Sequence, residues 1–218
     1  MRSLILALAA VAQLHADAWA QSDDNCGLAL AETEGRASGQ LIACAERGDP
    51  LAQAWLGMIY WGASDSEPSD WPTYNLPGKW ARERLQTEGG RLIAMASVAG
   101  VAIAQNELGR AYMRGEFGLT ADYQLGVRWL RAASDQQDEF AQYNLAEAYL
   151  VGRGVERSAS EAERLLRLSA TRNYRPARCS LAEILQDRGA LDESRAIRNA
   201  IAAEAEACSP DDLLEALQ

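Results

Sequence analysis

Apolar residues recur along this chain at helical spacing, and a whole helical pattern recurs with them. In Ala104-Gln-Asn-Glu-Leu-Gly-Arg-Ala-Tyr112 the first, fifth and ninth residues share one stripe at about 100° per residue, which marks them as core. The pattern returns as Ala141-Gln-Tyr-Asn-Leu-Ala-Glu-Ala-Tyr149, 37 residues later, and as Ala177-Arg-Cys-Ser-Leu-Ala-Glu-Ile-Leu185 after 36 more. Ala52-Gln-Ala-Trp-Leu-Gly-Met-Ile-Tyr60 fits it 52 residues before Ala104, so the first repeat carries roughly 15 extra residues. A fixed period of this size means stacked repeats, each a pair of helices, A and B, that buries its apolar face against its neighbours.

Punctuation between the periodic segments supplies the ends. Gly48 and Gly100 fall where a B helix stops and the next A helix starts, with Gln137 and Asn173 in the equivalent places of later repeats. Pro50 suits the first turn of the first A helix, expected from about Pro50 to Trp61. Gly115 and Gly118, then Gly152 and Gly154, mark the turn from A to B, with Asp122 and Ser158 or Ser160 as caps. Four residues past the cap comes a small side chain, Gly126, Ala162 and, counting from Asp192, Ala196, with Gly89 matching in the first repeat. This column is expected to let B approach A closely. From Cys26 to Arg47 the pattern is helical with a break at Glu34-Gly35, the segment before Gly48 reading as the second helix of a truncated leading hairpin, and Ser209-Pro-Asp-Asp212 reads as the start of a short closing helix.

Small-Gln-x-x-Leu-Gly-x-x-Tyr, a glycine-marked turn, then Trp129-Leu-Arg-Ala-Ala133 closely resembles the Sel-one-like repeat, a relative of the tetratricopeptide repeat. The longer glycine-rich turn favours it over the tetratricopeptide unit of about 34 residues. The resemblance spans residues 44 to 203 and thins in the fourth repeat, where Leu185 stands for the tyrosine and Gly189 is the remaining turn glycine. It implies an all-α, right-handed α-solenoid, here of about four repeats behind the truncated hairpin, acting as a protein-binding adaptor. Exported bacterial members resembling this chain serve envelope signalling, host contact, or as immunity partners of effectors. Some cysteine-rich members act on β-lactams, but the matching Ser-x-x-Lys is absent and Lys79 is the only lysine, so that activity is not carried over.

The first twenty residues change the compartment. Met1-Arg-Ser, an apolar run from Leu4 to Leu14 and Ala18-Trp-Ala20 read as a signal peptide at 1–20, cut before Gln21. Residues 21–25 are polar and expected to be loose, and 26–218 form a single repeat domain with an insertion at 62–79. The run is too short to cross a bilayer, so no membrane insertion of the mature chain is expected. Export, periplasmic rather than extracellular, is the expected destination. The net charge of -10 argues against nucleic acid and anionic membranes as partners.

Candidate chemistry is narrow. His15, the only histidine, lies in the segment expected to be removed. Without it there is no Ser-His-Asp or Cys-His site and no His-containing zinc site. The mature protein is read as a non-enzyme with no cofactor and no metal. The enzyme-class rival, a carboxylate-dependent envelope hydrolase, would need two acids converging about 5 to 9 Å apart; Asp192 with Glu193 and Asp211 with Asp212 sit side by side on their helices and better suit helix starts.

Opposite the core stripe of each A helix lie the third, seventh and tenth positions: Met58 and Trp61; Asn106, Arg110 and Met113; Tyr143, Glu147 and Leu150; Glu183 in the last repeat. In an α-solenoid the A helices line the concave face. These mixed aromatic, apolar and charged columns are the candidate protein-binding groove, the alternative being that they pack neighbouring helices or face water. The insertion adds Trp71, Tyr74 and Trp80, either as a contact loop or as a lid over the open end of the array.

Four cysteines in an exported chain are expected to be oxidised, and three pairings are conceivable. In an antiparallel hairpin the start of A lies beside the end of B, which pairs Cys179 with Cys208. Cys26 and Cys44 stand in the same relation if the chain turns near Gly35; an unbroken helix would hold them about 27 Å apart. Each bridge would staple an end of the array, worth roughly 3 kcal/mol in the chain-entropy account.

Overall fold

The computed structural model describes residues 26, 39–64, 82–203 and 208. Among the described residues all regular secondary structure is helical: α1 (Gly39–Glu46), α2 (Pro50–Ser64), α3 (Arg82–Val98), α4 (Ala102–Arg114), α5 (Tyr123–Asp135), α6 (Glu139–Val151), α7 (Ala159–Thr171), α8 (Arg175–Asp187) and α9 (Leu191–Ala203). The expected signal peptide, residues 21–25, Trp71, Tyr74, Trp80 and the expected closing helix all lie outside the described residues. The chain divides into two compact units at Ala104, inside α4.

In the first unit α1 packs on α2, and α2 pairs with α3. Its core joins Leu41, Cys44, Trp55, Leu56, Ile59, Tyr60, Leu85 and Leu92. Helix α2 runs to Ser64, one turn beyond the expected end at Trp61. The α2/α3 crossing is set by Gly57 and Gly89: a Cβ on Gly57 would lie 2.9 Å from the Gly89 carbonyl oxygen, and one on Gly89 would lie 2.9 Å from that of Gly57.

The second unit stacks successive hairpins. Helix α6 pairs with α7 and α8 with α9, while α5 lies against α6 and α7 against α8. Val127, Leu130, Leu145, Leu165, Leu166, Leu181 and Leu185 fill the space between them. The α4/α5 crossing repeats the glycine contact, for a Cβ on Gly126 would meet the Gly109 carbonyl oxygen at 2.9 Å and Met113 Sδ at 2.8 Å. The α6/α7 hairpin places fully buried Ala146 and Ala162 at the equivalent positions.

Caps follow the expected columns in the inner repeats. Leu125 N–H donates to Asp122 Oδ1 at 2.9 Å, and Glu161 N–H donates to Ser158 Oγ at 3.3 Å. Asp49 and Asp138 cap two A helices through Ala52 N–H and Ala141 N–H, both at 2.7 Å. The joints between repeats are left-handed at Gly48, Gly100, Gln137 and Asn173.

In the fourth hairpin the small-residue column needs correcting. Helix α9 starts at Leu191, so the position before it is Ala190 and not Asp192. The side chain against α8 is Ser194, buried, whose hydroxyl donates to the Ala182 carbonyl at 2.6 Å, while Ala196 is exposed. The shorter turn at Gly189 shifts the register by two residues.

Two disulfides close the bridged ends. Cys26 is bonded to Cys44 with Cα atoms 5.9 Å apart, and Cys179 to Cys208 with Cα atoms 5.8 Å apart. These are the two pairings expected from the hairpin geometry.

Candidate functional site

Along each A helix of the second unit the buried stripe of the first and fifth positions holds, with Leu108, Ala141, Leu145, Ala177 and Leu181 buried. The third position does not face outward. Asn106, Tyr143 and Cys179 are each no more than about 2% exposed, so the first two leave the candidate binding set. For Asn106 and Tyr143 the reason is the next repeat, which covers this flank of the helix, while Cys179 is bonded there to Cys208.

Asn144 Nδ2 donates to Asn106 Oδ1 at 2.8 Å, linking the fourth position of α6 to the third of α4. Tyr143, third on α6, hydrogen-bonds Ser180, fourth on α8, and also Glu147. Its ring packs edge-on against Tyr174, with centroids 5.4 Å apart. Burial, together with the charge of Glu147, pushes the Tyr143 hydroxyl well above the usual phenol range. The third and fourth positions are therefore the stitching between neighbouring A helices, which leaves Tyr143 as core.

What stays outward on α4, α6 and α8 is the seventh position with the tenth and eleventh. Arg110 and Glu147 are half-buried, Met113 and Leu150 are half-buried with part of each side chain packed on the core, and Arg114, Val151, Glu183, Gln186 and Asp187 are exposed. Arg110 pairs with Glu107 at 3.2 Å, and Arg114 lies 3.9 Å from Glu116. Glu183 and Asp187 make the α8 end of this face acidic. The eleventh column was missed in the sequence, although Arg114, Val151 and Asp187 follow the seventh by one helical turn. In the first unit Met58 packs against the core and Trp61 is half-buried.

The opposite, B-helix side carries a charged net instead. Arg167 binds Glu163 on its own helix at 3.0 Å and Glu193 on α9 at 2.5 Å, and Arg188 reaches Glu163 at 2.7 Å. The Arg167 guanidinium holds the Glu193 carboxyl below the usual carboxylate range. Among the described residues no three His, Cys, Asp or Glu side chains gather as a metal site, and no helix is long and apolar enough to cross a membrane.

The model of the Sel1 repeat matches residues 102–138 and 140–174, the α4/α5 and α6/α7 hairpins with their turns. Residues 102–174 thus carry two Sel1 repeats. A crystal structure of a Sel1 repeat protein from Oxalobacter formigenes is similar at 26% identity, covering 66% of this chain and 95% of that one, with a TM-score of 0.52. A protective antigen of uropathogenic Escherichia coli displaying an SLR fold matches at 24% identity over 81% of this chain, with a TM-score of 0.48; the match spans 30% of that antigen. No curated protein matches. The helical hairpins and the likeness to solved Sel1 structures give the α-solenoid fold class, and Sel1 repeats make protein-interaction scaffolds, in general without enzymatic activity.

Proposed function

We propose that this Sel1 repeat protein is an exported, periplasmic, non-enzymatic adaptor or regulator that binds another protein through the outward columns of α4, α6 and α8. The observation that carries the reading is the stitching itself. Because the third and fourth positions hold neighbouring A helices together, the seventh, tenth and eleventh positions of three successive repeats form one ordered array. That array mixes the exposed Val151 and the free edges of Met113 and Leu150, whose remaining surface packs on the core, with Arg110, Glu147 and Glu183. Apolar anchors rimmed by charge suit a protein surface better than a small molecule. The two disulfides support an oxidising compartment.

The test is cross-linked pull-down from an envelope fraction, comparing the intact protein with the triple variant Arg110→Ala, Leu150→Ala, Glu183→Ala. A partner cross-linked by the intact protein should be lost from the variant, whose thermal unfolding should stay close to that of the parent. Recovery of the same proteins in the same amounts by both would remove this face. Export is checked separately by fractionation and by mass spectrometry of the mature N-terminus, expected at Gln21.

A further inference from the structure

Arg47 extends its guanidinium over the Cys26–Cys44 bridge. One Nη donates to Cys26 Sγ at 3.2 Å and to Cys44 Sγ at 3.3 Å. Both sulfurs lie in the apolar cluster of the first unit with Leu41, Trp55 and Leu56. A disulfide sulfur is a neutral, weak acceptor, so this contact does little for the oxidised form. A thiolate in the same place is a full anion and gains a charge-assisted bond. Apolar burial opposes thiolate formation, and the guanidinium offsets that opposition.

We propose that Arg47 makes Cys26–Cys44 a redox-responsive clasp, one whose opening by a dithiol is favoured by the cation beside it. In the step, a thiolate of the dithiol attacks one sulfur and forms a mixed disulfide; the other cysteine leaves as a thiolate against Arg47. The second thiol of the reagent then attacks the mixed disulfide and expels the remaining cysteine. The dithiol is oxidised to its own disulfide, two electrons pass to the cysteine pair, and the reagent's two protons end on the cysteines or in solvent. Opening unties Cys26 from α1 at the beginning of the first unit's core.

The experiment equilibrates the full mature protein with mixtures of reduced and oxidised dithiothreitol, quenches with an alkylating reagent and maps each bridge by mass. In Arg47→Met the midpoint of Cys26–Cys44 should move to a ratio of reduced to oxidised reagent about tenfold higher than in the parent. Arg47→Lys should fall between them, and the Cys179–Cys208 midpoint should stay where it is. Circular dichroism on the same samples reports whether each variant remains folded; Arg47 is exposed, so its loss should leave the helices intact. An unchanged Cys26–Cys44 midpoint in Arg47→Met overturns the proposal, as does an equal shift of both bridges.

Discussion

Asp138 caps α6, and burial pushes its carboxyl up to about 7, with the charges of Glu139 and Glu107 adding to the rise against the Ala141 hydrogen bond. The folded state therefore holds a proton that the unfolded chain releases near pH 4. Its contribution is complete below that value and is lost as pH rises through about 7. Asparagine keeps the capping acceptor without the charge. Asp138→Asn should gain thermal stability on the parent between pH 4 and pH 8, by on the order of 2 kcal/mol at the upper end. A pH-independent difference between the two melting curves would rule this out. A neighbour offers a second adjustment: Gln137 holds φ 65° where Gly48 and Gly100 hold the same joint at no steric cost. Gln137→Gly gives up an exposed bond from Arg172, yet should raise the urea midpoint, the gain in unfolding free energy being about 0.5 to 1 kcal/mol. A lowered midpoint would show that the joint is not strained.

Between helices, the close approach of α4 and α5 depends on Gly109 and Gly126. A Cβ on Gly109 would lie 2.8 Å from Leu130 Cγ and 3.1 Å from the Gly126 carbonyl oxygen. Alanine improves helix propensity by about 1 kcal/mol, but here the backbone has to move. Gly126→Ala should consequently destabilise the protein by about 1 to 3 kcal/mol, measured by denaturant unfolding; a stabilised variant would mean that the pair separates freely. The repeat, its glycine joints and its inner caps were legible because each rests on local chemistry recurring at one period. Position three was misread because a helical wheel tells core from its opposite but not which flank the next repeat covers. Asn106 is a polar letter that reads as surface, and its bonds with Asn144 and Glu107 are what allow its burial. Ala190 was overlooked for a related reason: Asp192 is the stronger capping letter, and the shortened turn removed the second glycine that fixes the register.

For the whole molecule, the cysteine pairing could be read because antiparallel hairpins leave few partners within reach, whereas the outward face depends on how repeats abut. The Cys179–Cys208 bridge spans 29 residues of sequence and ties the last hairpin together. Cys208→Ser should cost up to about 3 kcal/mol, and hydrogen exchange should speed up first in α8 and α9. Uniform acceleration across all helices would place the last hairpin in one cooperative unit with the rest. The sulfur of Cys179 occupies the column where Asn106 and Tyr143 greet the following helix. Growth of such an array is thus polarised, and its leading edge is covalently occupied. A duplicated cassette of residues 139–174 inserted ahead of Arg175 would find a docking partner on either side, whereas a repeat docking on the exposed flank of α8 would have to displace the bridge to Cys208, so evolution could lengthen this protein more easily from within than against that flank.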